Sequence, residues 1–455
     1  MLAIVITYII GGLTRGTVLY GLTTVIIQMN NKTALIKYNL TKGVTSLLSV
    51  ACLLGSIVST LLAPKLIGKI GKTNTLRFVS FLSLVANILI FPAIHWAYLF
   101  VFKSIAGFAT VLLITVVPLI GVEQLDPKIR GVVGSLTNVT LQGGMFISYI
   151  IQYFISSQDR FYPLSVVLPT ILSIAMIGMS FIIKERKQEV SETTNTVVVQ
   201  PNITKINIWQ KKYTKSFIVA ISLGMSIGAT GSSPILQYST LIFKNSFNSP
   251  KSGTIGAIIM SGISFIAALA ALPVVRRYKR KTIFTIGLNI ILCCYIIMIT
   301  VMYVKPAKKV SDAIILATTI VFIISYAFSS GSLFFVIMGE VFPPQIKSIF
   351  VNMSMAINQL TLLITTFIFP LLKQQENYII YFCWVVLVEA LIIKFVPETH
   401  NKLLSQIEFE MIPNNETNII ASSDSTAQFV LEILPSILTS RLERCRIQTA
   451  AYIQQ

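Results

Sequence analysis

The stretch GEVFPPQIKS, Gly339–Ser348, ends a long apolar run and sets an acid, a proline and a base at fixed places: Glu340, Pro344 and Lys347. An earlier stretch, VEQLDPKIRG from Val122 to Gly131, holds the same three chemistries at the same places, as Glu123, Pro127 and Arg130. Each pair is separated by 217 residues (340 − 123, 344 − 127, 347 − 130). A polar segment, Lys184 to Lys215, lies midway. The chain therefore reads as two copies of one unit, the parallel-repeat construction known from helical membrane proteins.

The rest of the chain supplies the units. Mean hydropathy is +0.78, and only 12% of the 455 residues are charged, which does not fit a water-facing surface. A bilayer core of about 30 Å needs about 20 mostly apolar residues in a helix, because a backbone in lipid must satisfy its own hydrogen bonds. Twelve segments meet that test: 3–27, 44–67, 76–95, 97–120, 132–156, 162–183, 216–242, 253–275, 282–304, 313–339, 348–372 and 378–396. The polar break at His95 and Trp96 separates the third from the fourth, and merging them would change the parity of the topology. The first run has no basic n-region, so it reads as a span rather than a cleaved leader. The expected fold class is an all-α membrane protein with twelve transmembrane helices in two six-helix bundles. Its units are an N-terminal bundle at 1–183, a linker at 184–215, a C-terminal bundle at 216–396 and a tail at 397–455.

The net charge of +19 does not point to nucleic acid, because Lys and Arg sit between apolar runs and form no basic domain. They serve better as topology signals. One side of the predicted membrane gathers 19 of them and the other ten, which places the linker and both termini in the cytoplasm. The sequons at Asn31 and Asn39 fall in the first external loop, in agreement. Cys52, Cys293, Cys294 and Cys383 lie inside apolar runs and read as apolar fillers. With only His95 and His400 in the chain, and no nucleophile with a base or phosphate loop, neither an enzyme nor a cofactor or metal site is expected. After Pro397 the chain turns polar. Ala427 to Cys445 fits either a short surface helix or a loosely ordered tail.

Beside the repeat stand further landmarks: VPLIGVEQLDPKIRGVVGSL (Val117–Leu136), QYSTLIF (Gln237–Phe243), VVRRYKRKT (Val274–Thr282), and VPET (Val396–Thr399) followed by Leu403, Leu404 and Ile407. In order and spacing these resemble the sugar porter branch of the major facilitator superfamily. The resemblance implies the major facilitator fold, a central site between two bundles, and transport of a hexose or similar polyol by alternating access without a cofactor. Departures accompany it. Gly68 stands where the family carries an acid before the basic cluster of the loop between helices two and three, and Arg276 and Arg277 stand in a purely basic run.

Sugar hydroxyls both donate and accept, so a cavity selects them with amides and an aromatic wall. The resemblance places Asn138 at the helix-five amide position, Asn358 at the helix-eleven one, and Phe335 at the aromatic position after the break in helix ten. Gln142 lies one turn beyond Asn138, and Gln359 faces elsewhere if Asn358 faces the cavity. On helix seven the family's two glutamines fall on Ile227 and Gly228, and its asparagine on Ser233. For the asparagines, hydrogen bonding between helices is the alternative role. Gly224, Gly228 and Gly231 suit close packing or helix breaking.

Arg15 sits inside the first span, where an arginine costs at least about 2.5–3.5 kcal/mol unless it faces water, a carboxylate or backbone carbonyls. It is expected to face the cavity, either as a structural pair or as an attractor of an anionic solute. The acid of proton-coupled relatives corresponds to Val18, which favours facilitated diffusion. Glu123, Arg130, Glu340, Lys347 and Glu398 are expected to form a cytoplasmic gate, against the alternative of solvated helix-end charges. Beside the hexose reading stand an organic-anion transporter and a non-transporting nutrient sensor. The expected surroundings are a small solute and the lipid of a plasma membrane, with no nucleic acid, and nothing in the sequence sets the oligomeric state.

Overall fold

The computed structural model describes residues 2–21, 42–92, 95–124, 127–155, 164–183, 213–239, 250–304, 306–342, 346–399 and 410–411. The linker up to residue 212, the sequons, and all of the tail beyond Thr399 except 410–411 lie outside the described residues.

Twelve helical spans follow one another. In the first half they are α1 (Leu2–Gly16, continued by a π turn over Thr17–Gly21), α2 (Lys42–Ile70), α3 (Lys72–Ile90), α4 (Trp96–Gln124), α5 (Pro127–Ile155) and α6 (Leu164–Ile182). In the second half, α7 is broken into Thr214–Ala229 and Ser232–Gln237, and α8 covers Pro250–Arg277 and α9 Arg280–Val304. Then α10 runs as Lys308–Tyr326, a π turn over Ala327–Gly331 and Ser332–Val341, before α11 (Lys347–Ile368) and α12 (Gln374–Phe395). Eleven of the twelve are long and apolar enough by themselves to cross a bilayer among the described residues, α5 being the exception. The break at His95 is real, and the third and fourth helices are separate.

The helices pack as the repeat requires. In the first half α1 contacts α4, α5 and α6, α2 packs on α4, and α3 packs on α4 and α6. Six helices later α7 contacts α11 and α12, α8 packs on α10, and α9 packs on α10 and α12. Between the halves, α2 lies on α11 and α5 on α8, and each of these pairs is the other's image under the same shift.

Polarity is arranged for lipid. Phe81, Phe154, Phe181, Ile182, Leu61 and Ile266 are exposed on the outside, while serines and threonines crowd the interior. Most of those hydroxyls bond a carbonyl of the preceding turn, as Thr7 does to Ala3 and Ser80 to Leu76, so they cost little when buried. Glycine lets backbones meet: a Cβ on Gly55 of α2 would lie 1.7 Å from the Ser104 carbonyl oxygen of α4. Of the helix-seven glycines, Gly224 and Gly228 press against Ser354 and Thr361 of α11. Gly231, at φ 66°, breaks α7 in the left-handed region, with the Tyr381 ring where a Cβ would stand. Both expected uses of glycine occur, at different positions.

Candidate functional site at the interface of the two halves

The near face is here the one that carries the start of α1 and of α7; the far face is opposite. Near the far face the halves are joined by tyrosines. Tyr238, just past the second piece of α7, donates to Ser49 Oγ of α2 at 2.9 Å, and its ring stacks on Phe369 at 5.1 Å. Tyr149 of α5 donates to the Leu236 carbonyl oxygen. Phe146 of α5 stacks on Phe265 of α8, 6.2 Å between ring centres.

Deeper in the bundle the polar residues converge. Arg15 is 3% exposed, and its Nη2 donates to Gln359 Oε1 of α11 at 3.1 Å. Asn138 Nδ2 of α5 donates to Ser332 Oγ at 3.3 Å, just past the π turn of α10. Ser233 accepts from Gln237 Nε2 at 3.2 Å. Gln142 and Asn358 are both buried, and Phe335 is half-buried with its ring edge-on to Phe334 at 5.0 Å. Thus Arg15 and Asn138 bridge the halves to Gln359 and Ser332, while Ser233 is held by Gln237. Gln359 does not face away from the interface: it is the residue that meets Arg15.

Several buried polar atoms have no hydrogen-bond partner among the described residues: Arg15 Nη1, Gln142 Oε1, Gln237 Oε1 and Asn358 Oδ1, and, toward the end of α5, Gln152 Oε1 and Nε2. A buried polar atom left unmet costs about 1–3 kcal/mol, and native interiors keep few. Their chemistry suits a ligand or water bearing hydroxyls.

A family model described as sugar (and other) transporter matches residues 4–410. The chain belongs to that family. Among curated relatives, a glucose transporter of Staphylococcus epidermidis is 22% identical over 399 residues, covering 79% of this chain and 86% of that one. A facilitated trehalose transporter of Apis mellifera ligustica is 24% identical over 412 residues, covering 83% and 81%. Among solved structures, a proton:xylose symporter of the major facilitator superfamily, bound to 6-bromo-6-deoxy-D-glucose, superposes with TM-score 0.74 at 18% identity, covering 90% and 98%. The twelve-helix major facilitator fold is therefore that of this sugar transporter family member.

In the transporter, the near-face charges centre on Arg280, the first residue of α9. It pairs with Glu340 at the end of α10, and its Nη1 donates to Thr399 Oγ1 at 3.3 Å. Glu398 accepts from the backbone N–H groups of Arg280 at 3.0 Å and Lys281 at 3.2 Å, so a carboxylate caps the start of α9. Lys347 opens α11. Glu123 lies in the last turn of α4 and Arg130 in the first of α5, and their side chains are outside the described set.

Three participants were not singled out from the sequence. Gln359 was set aside on helix geometry; Arg280 was counted only as one more base in a basic loop. Lys103 of α4 is fully buried and donates to the Leu48 carbonyl oxygen of α2 at 2.9 Å. Its signal was available, as the lone charge in the run 97–120.

Proposed function

We propose that this transporter moves a hexose or similar small polyol down its gradient, its two halves exposing the central layer to one face and then the other. The observation that carries the reading is the set of buried amide and guanidinium atoms without partners among the described residues, on Arg15, Gln142, Gln237 and Asn358. Amides donate and accept together, which matches a ring of hydroxyls. The half-buried Phe335 supplies an aromatic surface, with Asn138 and Ser233 as further polar contacts. Relatives named for glucose and trehalose transport support the cargo class.

Val18, at the position of the proton-coupling acid, lacks a titratable group, which supports uncoupled movement. On this reading Glu340 and Glu398, gathered on Arg280, belong with Glu123, Arg130 and Lys347 to the gate of the near face. The excess of Lys and Arg on that face makes it cytoplasmic, with both termini and the linker 184–215 on the same side and the plasma membrane as the site of action. The units 1–183, 216–396 and the tail 397–455 follow.

The test is uptake by purified protein in liposomes across a broad panel of labelled sugars. Saturable uptake that stops when the gradient is equalised, without a proton current, is expected. No uptake of any sugar above protein-free liposomes sinks the proposal, and binding without flux would make the protein a sensor.

A further inference from the structure

The first 122 residues contain no aspartate or glutamate, yet they hold two cations buried in the bundle, Arg15 at 3% exposure and Lys103 at none. Among the described residues the other buried charge is Glu389, and it is bonded to Asn289 between α9 and α12, in the second half. The acids of the first half, Glu123, Asp126 and Asp159, all come later in the sequence. No carboxylate of this chain stands in the sequence of α1 to α4 up to Val122, where Arg15 is buried.

Lys103 Nζ is held by the Leu48 carbonyl of α2. Lys103 also lines a water-sized cavity with Thr17, Val18, Asn87 and Ser165, directly beyond Arg15 along α1. A guanidinium does not shed its proton in a protein, so Arg15 stays charged. Its described partner is the neutral oxygen of Gln359, and Nη1 is buried without a partner among the described residues. Burying an ion without a counter-charge costs several kcal/mol. A site designed only for neutral polyols gains nothing from that arrangement, whereas a negatively charged ligand relieves it.

Resting on the sugar-transport reading, we propose that the preferred cargo is an acidic monosaccharide, a uronic or aldonic acid. Its hydroxyls meet Gln142, Gln237 and Asn358, and one carboxylate oxygen accepts from Arg15 Nη1. Charge-assisted hydrogen bonds of this kind are about twice as strong as neutral ones. Lys103, already anchored on Leu48, supplies field rather than contact. Gln359 takes one Nη2 proton, and Nη1 is the buried guanidinium nitrogen without a described partner that a carboxylate oxygen would meet.

The experiment compares D-glucuronate and D-gluconate with D-glucose and D-xylose on the full chain in liposomes. The expected result is that an acidic sugar inhibits labelled neutral-sugar uptake at a concentration at least about tenfold lower than the neutral sugar itself. Acidic-sugar uptake should also speed up when the liposome interior is made positive, since each cycle carries one negative charge inward. Arg15→Gln should lower the acidic-to-neutral uptake ratio by about tenfold or more, and Arg15→Lys should keep part of the preference. Neutral-sugar flux that continues unaffected by a large excess of either acid overturns this inference and leaves the sugar-transport reading standing. Should no sugar be transported, titration calorimetry on the protein in nanodiscs decides it. Tighter binding of the acid that is weakened by Arg15→Gln supports the inference, and equal or weaker binding of the acid overturns it.

Discussion

Removing the tyrosine hydroxyls that join the far face should release that face. Tyr149→Phe deletes the bond to the Leu236 carbonyl, which keeps Ser239 Oγ as a donor at 2.7 Å. Tyr238→Phe deletes the bond to Ser49 Oγ, which keeps its own bond to the Thr45 carbonyl at 2.8 Å. Neither change leaves an orphaned partner, so each costs only the net value of a hydrogen bond, about 1 kcal/mol. The residues sit on different helix pairs, and the two effects should add to about 2 kcal/mol. If both bonds exist only while the far face is closed, the ratio of far-open to far-closed molecules rises about 30-fold in the double variant. Spin labels at Tyr153, near the end of α5, and Val304, at the end of α9, are exposed on the two halves and report their separation. Pulsed electron resonance, with the five native cysteines replaced, should show a longer distance growing in from wild type through the single variants to the double. An unchanged distance distribution in a folded double variant would refute the assignment of these tyrosines to the seal.

Three other expectations follow from particular contacts. Asn358→Ala removes a buried amide from the central layer and should weaken sugar binding by about tenfold at unchanged protein level, measured by competition uptake; unaltered affinity removes Asn358 from the site. Gly55→Leu forces a side chain against the Ser104 carbonyl across the α2–α4 contact and should destabilise the first half by about 1–3 kcal/mol or more, seen as a lower melting temperature in detergent. Glu398→Ala uncaps α9 and removes a carboxylate beside Arg280, a loss of about 1–2 kcal/mol in thermal stability, whereas Glu398→Gln should retain part of it through its amide oxygen.

The architecture was legible because lipid imposes it. Runs of about 20 apolar residues have few alternatives to spanning helices, and the repeat of Glu123, Pro127 and Arg130 at Glu340, Pro344 and Lys347 announced the shift by six helices that the packing displays. The helix breaks were only partly legible. Gly231 signalled the break in α7, but nothing in TVLYG or AFSSG distinguishes a π turn from ordinary helix. Polar partnerships were hidden for a different reason. Arg15 and Gln359 are 344 residues apart, and a helical wheel gives the face of each without saying which face of the opposite half it meets. Arg280 looked like any base in VVRRYKRKT until the chain after α12 folded back and put Glu398 and Thr399 beside it.

The central claim is that the protein is a carrier whose central layer faces one side at a time, and counterflow tests it most directly. Liposomes containing the protein are loaded with an unlabelled sugar identified by the uptake panel, then diluted into a trace of the same sugar in labelled form. A carrier returns loaded, so the label should rise transiently above its equilibrium level and then decay. A slow monotonic approach to equilibrium, identical with and without internal sugar, would contradict the account.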